Sequence, residues 1–142
     1  MQVNKQKLIN FCEKYNILMI LLFGSRIKGN NRQNSDTDIG ILFKDDKYSY
    51  EEVIMGIMHF FEGQTVDIVA LNHSDPLLRY EIISNYEILY CRDEEIFINF
   101  YINSIKQYND IKKMLKFEKL YLQNFVGGMR SGVYQCNPPQ VN

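Results

Sequence analysis

Cysteine, proline and long apolar runs are all scarce in this chain. Its 142 residues include 3 cysteines and 3 prolines. Cys12, Cys91 and Cys136 are odd in number and far apart. They make neither a disulfide framework nor a zinc pattern, so a reducing cytoplasm is the expected location. The longest apolar run, Ile17 to Phe23, covers seven residues, whereas a helix needs about 20 to cross a bilayer. The opening stretch, MQVNKQKLINFCEKY, lacks the unbroken apolar core of a signal peptide. No membrane is expected as a partner. An excess of one charge is also missing. Lys+Arg 16 against Asp+Glu 17 leaves a formal net charge of -1, so nucleic acid is not the default partner.

The remaining composition is ordinary. Hydrophobic residues at 46% and charged residues at 23% exclude a disordered or collagenous chain. The length suits one domain with one real core. Asn4 can cap a helix running to about Tyr15, with Leu8, Ile9, Phe11 and Cys12 on one side. Ile17 to Phe23 fits a strand buried on both faces. Thr37 to Phe43 and about Thr65 to Leu71 read as further strands, and Tyr86 to Tyr90 as a short fourth. Between them, Ser49 can cap a helix that Gly63 closes, and Asp75-Pro76 opens another in the cap-then-Pro manner. Helices and strands in this order predict a mixed α/β (α+β) domain, a mixed sheet flanked by helices.

Leu77 to Val126 holds neither glycine nor proline. About Asp93 to Phe125 therefore reads as helix, with one break possible near Asn109 and a stop at Gly127-Gly128. The expected organisation is a catalytic domain over 1–92, a helical segment packed on it over 93–126, and a flexible tail over 127–142. The apolar residues of the long helix spread around more of it than one core-facing stripe requires. An exposed strip from Ile111 to Phe125, including Leu115 and Leu122, follows if the helix is continuous. A hairpin folded at Asn109 would hide it.

The chemistry concentrates in LLFGSRIKGNNRQNSDTDIGILF, residues 21–43. Asp36 and Asp38 stand two apart at the start of a strand, so both leave from the same face. Gly40 comes next on that face and leaves space beside the pair. Two carboxylates this close repel, and one pKa should rise unless a cation lies between them. Hard oxygen ligands suit Mg²⁺, which also takes phosphate oxygens. Asp67 interrupts an apolar strand, where a buried carboxylate is costly unless paired or metal-bound. If that strand lies beside the second, three carboxylates could hold two ions about 3.5–4 Å apart, the arrangement for in-line phosphoryl displacement. Gly24 lets a phosphate approach the backbone, and Ser25 supplies a hydroxyl and a cap. Arg26, Lys28 and Arg32 add positive charge.

Plainer readings compete with each part. Gly-Ser alone is usually a turn, and Ser35-Asp36 alone is usually a cap. The combined pattern, Gly-Ser, ten residues, then Asp-x-Asp, would arise by accident in about one chain in several hundred. His59 lies on an apolar helix side and is expected in the core, and His73 is expected to be solvated. The lysines at 112, 113, 116 and 119 read as a solvated face.

At these residues the chain resembles the nucleotidyltransferase superfamily whose best-known member is DNA polymerase β. The shared signature is Gly24-Ser25, the spacer, Asp36-Thr37-Asp38, then Asp67. Over roughly residues 5 to 125, including LLFGSRIKG and DPLLRYEI, it is similar to minimal nucleotidyltransferases, and among them to antitoxins paired with HEPN-domain ribonuclease toxins. The resemblance implies a polymerase β-like fold with a long C-terminal helical segment, ATP as co-substrate and two Mg²⁺ ions. It implies that Asp36 and Asp38 hold both metals, that Asp67 holds the catalytic one and helps deprotonate the acceptor, and that Gly24 and Ser25, with Arg26 beside them, hold the nucleotide's phosphates. The expected reaction is transfer of AMP to a tyrosine hydroxyl of a cognate toxin, within a homo- or hetero-oligomer. Two alternatives are nucleotide transfer to a small molecule such as an aminoglycoside, and a non-catalytic module that covers a toxin. The first would need a further substrate domain for which the chain has little room. Nucleic acid is not expected as a direct substrate.

Overall fold

The computed structural model describes residues 3–24, Ile27 and 36–130. Its elements run α1 (Lys5–Lys14), β1 (Ile17–Phe23), β2 (Thr37–Phe43), α2 (Tyr50–Phe60), β3 (Val66–Ala70), a 3-10 turn (Leu71–His73), α3 (Pro76–Ser84), β4 (Tyr86–Cys91) and α4 (Glu94–Arg130). The chain divides into two units, Met1–Ile105 and Lys106–Asn142.

The first unit is built on a four-stranded sheet in the order β3-β2-β1-β4. β1 pairs antiparallel with both β2 and β4, and β2 pairs parallel with β3. The mixed sheet expected from the sequence is therefore present. β1 lies inside it, and six of its seven residues are buried. A strand covered on both faces needs no polar alternation, which is why ILMILLF is continuous.

The two faces carry separate cores. Ile20, Leu22, Ile39, Ile41 and Phe43 point to one side, where Leu8 and Cys12 of α1 and Val53 and Ile57 of α2 cover them. Burial pushes the Cys12 thiol up to about 12, so this cysteine packs as a small apolar residue. Met19, Leu21 and Phe23 point to the other side, against Leu71, Ile82 and Ile83 and against Phe100 near the start of α4. The helix starts follow the capping rules. Asn4 accepts from the Lys7 amide and Asp75 from the Leu78 amide. Ser49 precedes α2 without a side-chain capping bond.

Three expectations need correction. His59 is exposed rather than in the core, and its Nδ1 lies 3.0 Å from Glu62 one turn away. The long helix has no break at Asn109, and Gly127-Gly128 does not stop it, because α4 runs to Arg130. Glycine weakens a helix interior by roughly 1 kcal/mol without forbidding it. The folded-back hairpin is therefore absent. Leu115, Phe117, Leu120, Tyr121 and Leu122 are instead exposed, Phe117 by 73%, as the continuous-helix expectation required. Among the described residues, no helix is long and apolar enough to cross a membrane.

Candidate active site

The antiparallel β1–β2 pair brings the end of β1 beside the start of β2. Phe23 pairs with Asp38, which places Gly24 next to the Asp-x-Asp segment. Gly24 has φ +91°, and a Cβ built there would run into the Asp38 carboxylate. Two demands therefore converge on glycine here, a left-handed backbone and a close side-chain neighbour. Ser25 and Arg26 lie outside the described residues.

The parallel β2–β3 pair completes the arrangement. Asp38 pairs with Asp67, flanked by Thr37 with Val66 and Ile39 with Ile68. The Thr37 amide also donates to the Thr65 carbonyl at 2.9 Å. Ile39, Ile41 and Ile68 belong to the α1–α2 side, so alternation puts Asp36, Asp38 and Asp67 together on the α3 side. Directly paired residues on neighbouring strands lie about 4.8 Å apart, close enough for rotation of the side chains to bring the carboxylates together.

Burial pushes the Asp38 acid above its ordinary value of 3.8, with the negative charges of Asp67, Asp36 and Glu81 adding in that order. Asp38 is half-buried, while Asp36 and Asp67 are exposed. The expectation of a buried Asp67 is thus corrected. β3 is an edge strand, and its Asp67 side chain reaches water. The space expected beside Gly40 is also taken. A Cβ at Gly40 would lie 2.8 Å from Leu71 Cδ2, so Leu71 fills that gap.

The donor set suits a hard divalent cation. It consists of carboxylate oxygens, and the partly buried one is destabilised by two like charges on its own face. Among the described residues, no three His, Cys, Asp or Glu side chains are already drawn into a coordination cluster.

Reading the sequence missed Glu81, an exposed residue of α3 whose charge acts on Asp38. The only signal was an acidic residue among the apolar positions of LLRYEII, and its direction depends on where α3 packs. It also missed Asn72 and Arg79, which hold the turn after β3. The Asn72 side chain accepts from the Phe43 amide and donates to the Phe43 carbonyl, both at 2.9 Å. His73 lies exposed beside Asp46 at 2.9 Å, away from any nucleophile pattern.

Residues 6–95 match the family described as polymerase beta, nucleotidyltransferase. Over 119 residues the chain is 29% identical to the protein adenylyltransferase MntA of Aphanizomenon flos-aquae (strain 2012/KM1/D3), spanning 76% of this chain and 79% of that protein. Two solved structures share its fold. One is a toxin-antitoxin with AMP-PNP, at 24% identity and a TM-score of 0.63, covering 87% of this chain and 98% of that one. The other is a tri-AMPylated Shewanella oneidensis HEPN toxin in complex with MNT antitoxin, at 22% identity and a TM-score of 0.59, covering 88% and 97%.

Proposed function

The chain belongs to the polymerase beta nucleotidyltransferase family, and from that membership we propose that it is an antitoxin that transfers AMP from ATP to a tyrosine hydroxyl of a partner HEPN-type ribonuclease toxin. The observation that carries the reading is the register of Asp38 against Asp67 beside Gly24. The likeness to a protein adenylyltransferase supports a protein as the acceptor.

Each residue then has a task. Asp36, Asp38 and Asp67 would hold two Mg²⁺ ions. Bound there, Mg²⁺ neutralises charge on the transferring phosphoryl group and orients it. Gly24, whose missing Cβ makes room for the Asp38 carboxylate, would carry the turn that meets the β- and γ-phosphates, while Ser25 would donate its hydroxyl to them and Arg26 would add charge. Asp67, on the open edge of the sheet, can receive the proton of an incoming tyrosine. The tyrosine oxygen bonds to the α-phosphorus, the bond from that phosphorus to the bridging oxygen breaks, and pyrophosphate leaves. The product carries a bulky anion on the toxin, which repels the RNA backbone. This reading places the protein in the cytoplasm, where ATP and the toxin's RNA substrates are found.

Incubation with labelled ATP, Mg²⁺ and a HEPN-type ribonuclease from the same genome tests the proposal. Label should appear on that protein, and its ribonuclease activity should fall in parallel. Label passing instead to an aminoglycoside would favour small-molecule transfer. Toxin neutralised without label would favour a covering module.

A further inference from the structure

β3 carries Asp67 at the edge of the sheet, with Val66, Ile68 and Ala70 packed on the α1–α2 core and the Tyr50 hydroxyl donating to the Ile68 carbonyl at 3.2 Å. It is five residues long and pairs on one side only. A slip of one residue along β2 would turn Asp67 to the opposite face. Something beyond the ladder must hold it, and the turn that follows β3 is unusually well tied.

Four side chains make the tie. Leu71 occupies the gap that Gly40 leaves in β2. Asn72 bonds both the amide and the carbonyl of Phe43, imitating one more rung of strand pairing beyond the end of β3. Ser74 Oγ donates to the Leu71 carbonyl at 2.9 Å. Arg79, from α3, draws these together. Its Nη2 donates to the Leu71 carbonyl at 2.7 Å and to the Asn72 carbonyl at 3.3 Å, and its Nε donates to Ser74 Oγ at 3.0 Å. The guanidinium lies 5.6 Å from the Phe100 ring centroid, and burial lowers its pKa. A half-buried cation is expensive unless its donors are used. Here they go to two backbone carbonyls and the Ser74 hydroxyl of one turn.

We infer that Arg79 is a positioning residue for AMP transfer: through the Leu71–Ser74 turn, with Asn72 as its second tether, it fixes the register of β3 and so holds Asp67 opposite Asp38. The inference rests on the reading of those aspartates as the catalytic pair. Arg79 acts through that turn, to which its Nε and Nη2 donate. Its planar fork reaches Leu71, Asn72 and Ser74 at once, which a lysine cannot do.

The test uses the full chain with Arg79→Lys, Arg79→Met and Asn72→Ala. Hydrogen exchange is read at the backbone amides of 66–71, with β1 as the internal reference. Edge-strand amides should exchange about tenfold faster in Arg79→Met and Asn72→Ala, with β1 unchanged and Arg79→Lys between them. Mn²⁺ titration of each chain should show weaker binding in the same rank order. In AMP transfer, kcat per folded molecule should fall about 10- to 100-fold, the scale of a misplacement near 1 Å, with the KM for ATP little changed. Exchange at 66–71 equal to the parent's in both Arg79→Met and Asn72→Ala overturns the inference whatever the activity does. So does faster exchange with Mn²⁺ binding and kcat intact. A parent chain that transfers no AMP overturns the functional reading instead, and the exchange data still decide whether Arg79 pins the strand.

Discussion

Asp38 of β2 stands directly opposite Asp67 of β3, in a parallel pair at the same end of the sheet as Gly24. Opposed like charges weaken a sheet, so this pairing carries a cost that strand stability alone does not justify. A cation-binding role gives the cost a reason, and it leads to a signed expectation.

Asp38→Asn should abolish AMP transfer while leaving the fold no less stable at neutral pH. The folded Asp38 acid sits above its ordinary value of 3.8, so the native state binds more protons than the unfolded chain between those two values. The parent therefore loses stability as pH rises through that window and stays lower above it. Asparagine cannot ionise and removes the loss. Urea melts from pH 3 to 8 should show parent and variant converging toward the acid end and the variant level or ahead near pH 7. A variant less stable at neutral pH than at acid pH, relative to the parent, would count against burial and repulsion as the cause.

Gly24→Ala should be worse than its size suggests. The new methyl meets the Asp38 carboxylate, and φ +91° is strained for any L side chain, together about 1–3 kcal/mol. Ser25→Ala should cost less in folding and more in nucleotide use, because a lost hydrogen bond to a charged group is worth about 1.5–3 kcal/mol, or roughly 10- to 150-fold in affinity. Thermal melts paired with ATP titration separate the two. Unchanged nucleotide affinity in Ser25→Ala would make Gly-Ser a turn and nothing more.

Much of this was legible in the residues, for reasons that differ by element. Thr37–Phe43 is legible with its observed limits because Asp36 and Asp38 open an apolar run that Lys44 and Asp45 close. β1 was readable because a strand buried on both faces is a continuous apolar run. Asp67 is expected to face Asp36 and Asp38 only if its strand lies beside the second, which it does, but its exposure does not follow from the sequence, which does not reveal which strand lies at the edge. His59 was misplaced for a related reason. Its neighbours Val53 and Ile57 are buried, but 59 falls past the edge of their stripe. The space expected beside the aspartates at Gly40 is filled by Leu71, and nothing in the sequence marks a residue in the turn after β3 as reaching it. Arg79 was invisible as a tether because two of its three acceptors are backbone carbonyls, which leave no mark in side-chain patterns.

Gly40→Ala tests that misreading directly. A methyl there would stand 2.8 Å from Leu71 Cδ2 and 3.2 Å from its Cγ. Leu71 is fully buried and cannot swing away freely, so overpacking should cost about 1–3 kcal/mol. The displacement bears on the turn that follows β3. Transfer should therefore fall along with Tm, and Leu71→Val in the same chain should recover part of both by making room. A Gly40→Ala variant as stable as the parent would show that the gap is looser than the structure indicates.

The last expectation concerns where a toxin would dock. Residues 106–130 carry six basic and two acidic side chains. At 3.6 residues per turn, Leu115, Leu122, Val126 and Met129 form one stripe, and Met114, Phe117 and Tyr121 form a second beside it. Lys119, Lys112 and Lys116 border the first stripe on its other flank. All seven apolar residues are exposed, which makes a patch of a size that usually marks an interaction surface. Two copies of this helix would bring like charges together, so the charge favours a partner with an acidic surface around an apolar groove. A toxin that must present its tyrosine to Asp67 is the partner the proposed reaction requires. Leu115→Asp with Leu122→Asp should therefore weaken co-purification with the HEPN-type protein by about 30-fold or more, the scale of losing an interface hot spot. The variant should still melt cooperatively, because neither leucine is buried in the free chain. Capture at the parent's level would put the toxin interface elsewhere. A double variant that fails to fold would make these leucines part of a core that their exposure does not reveal.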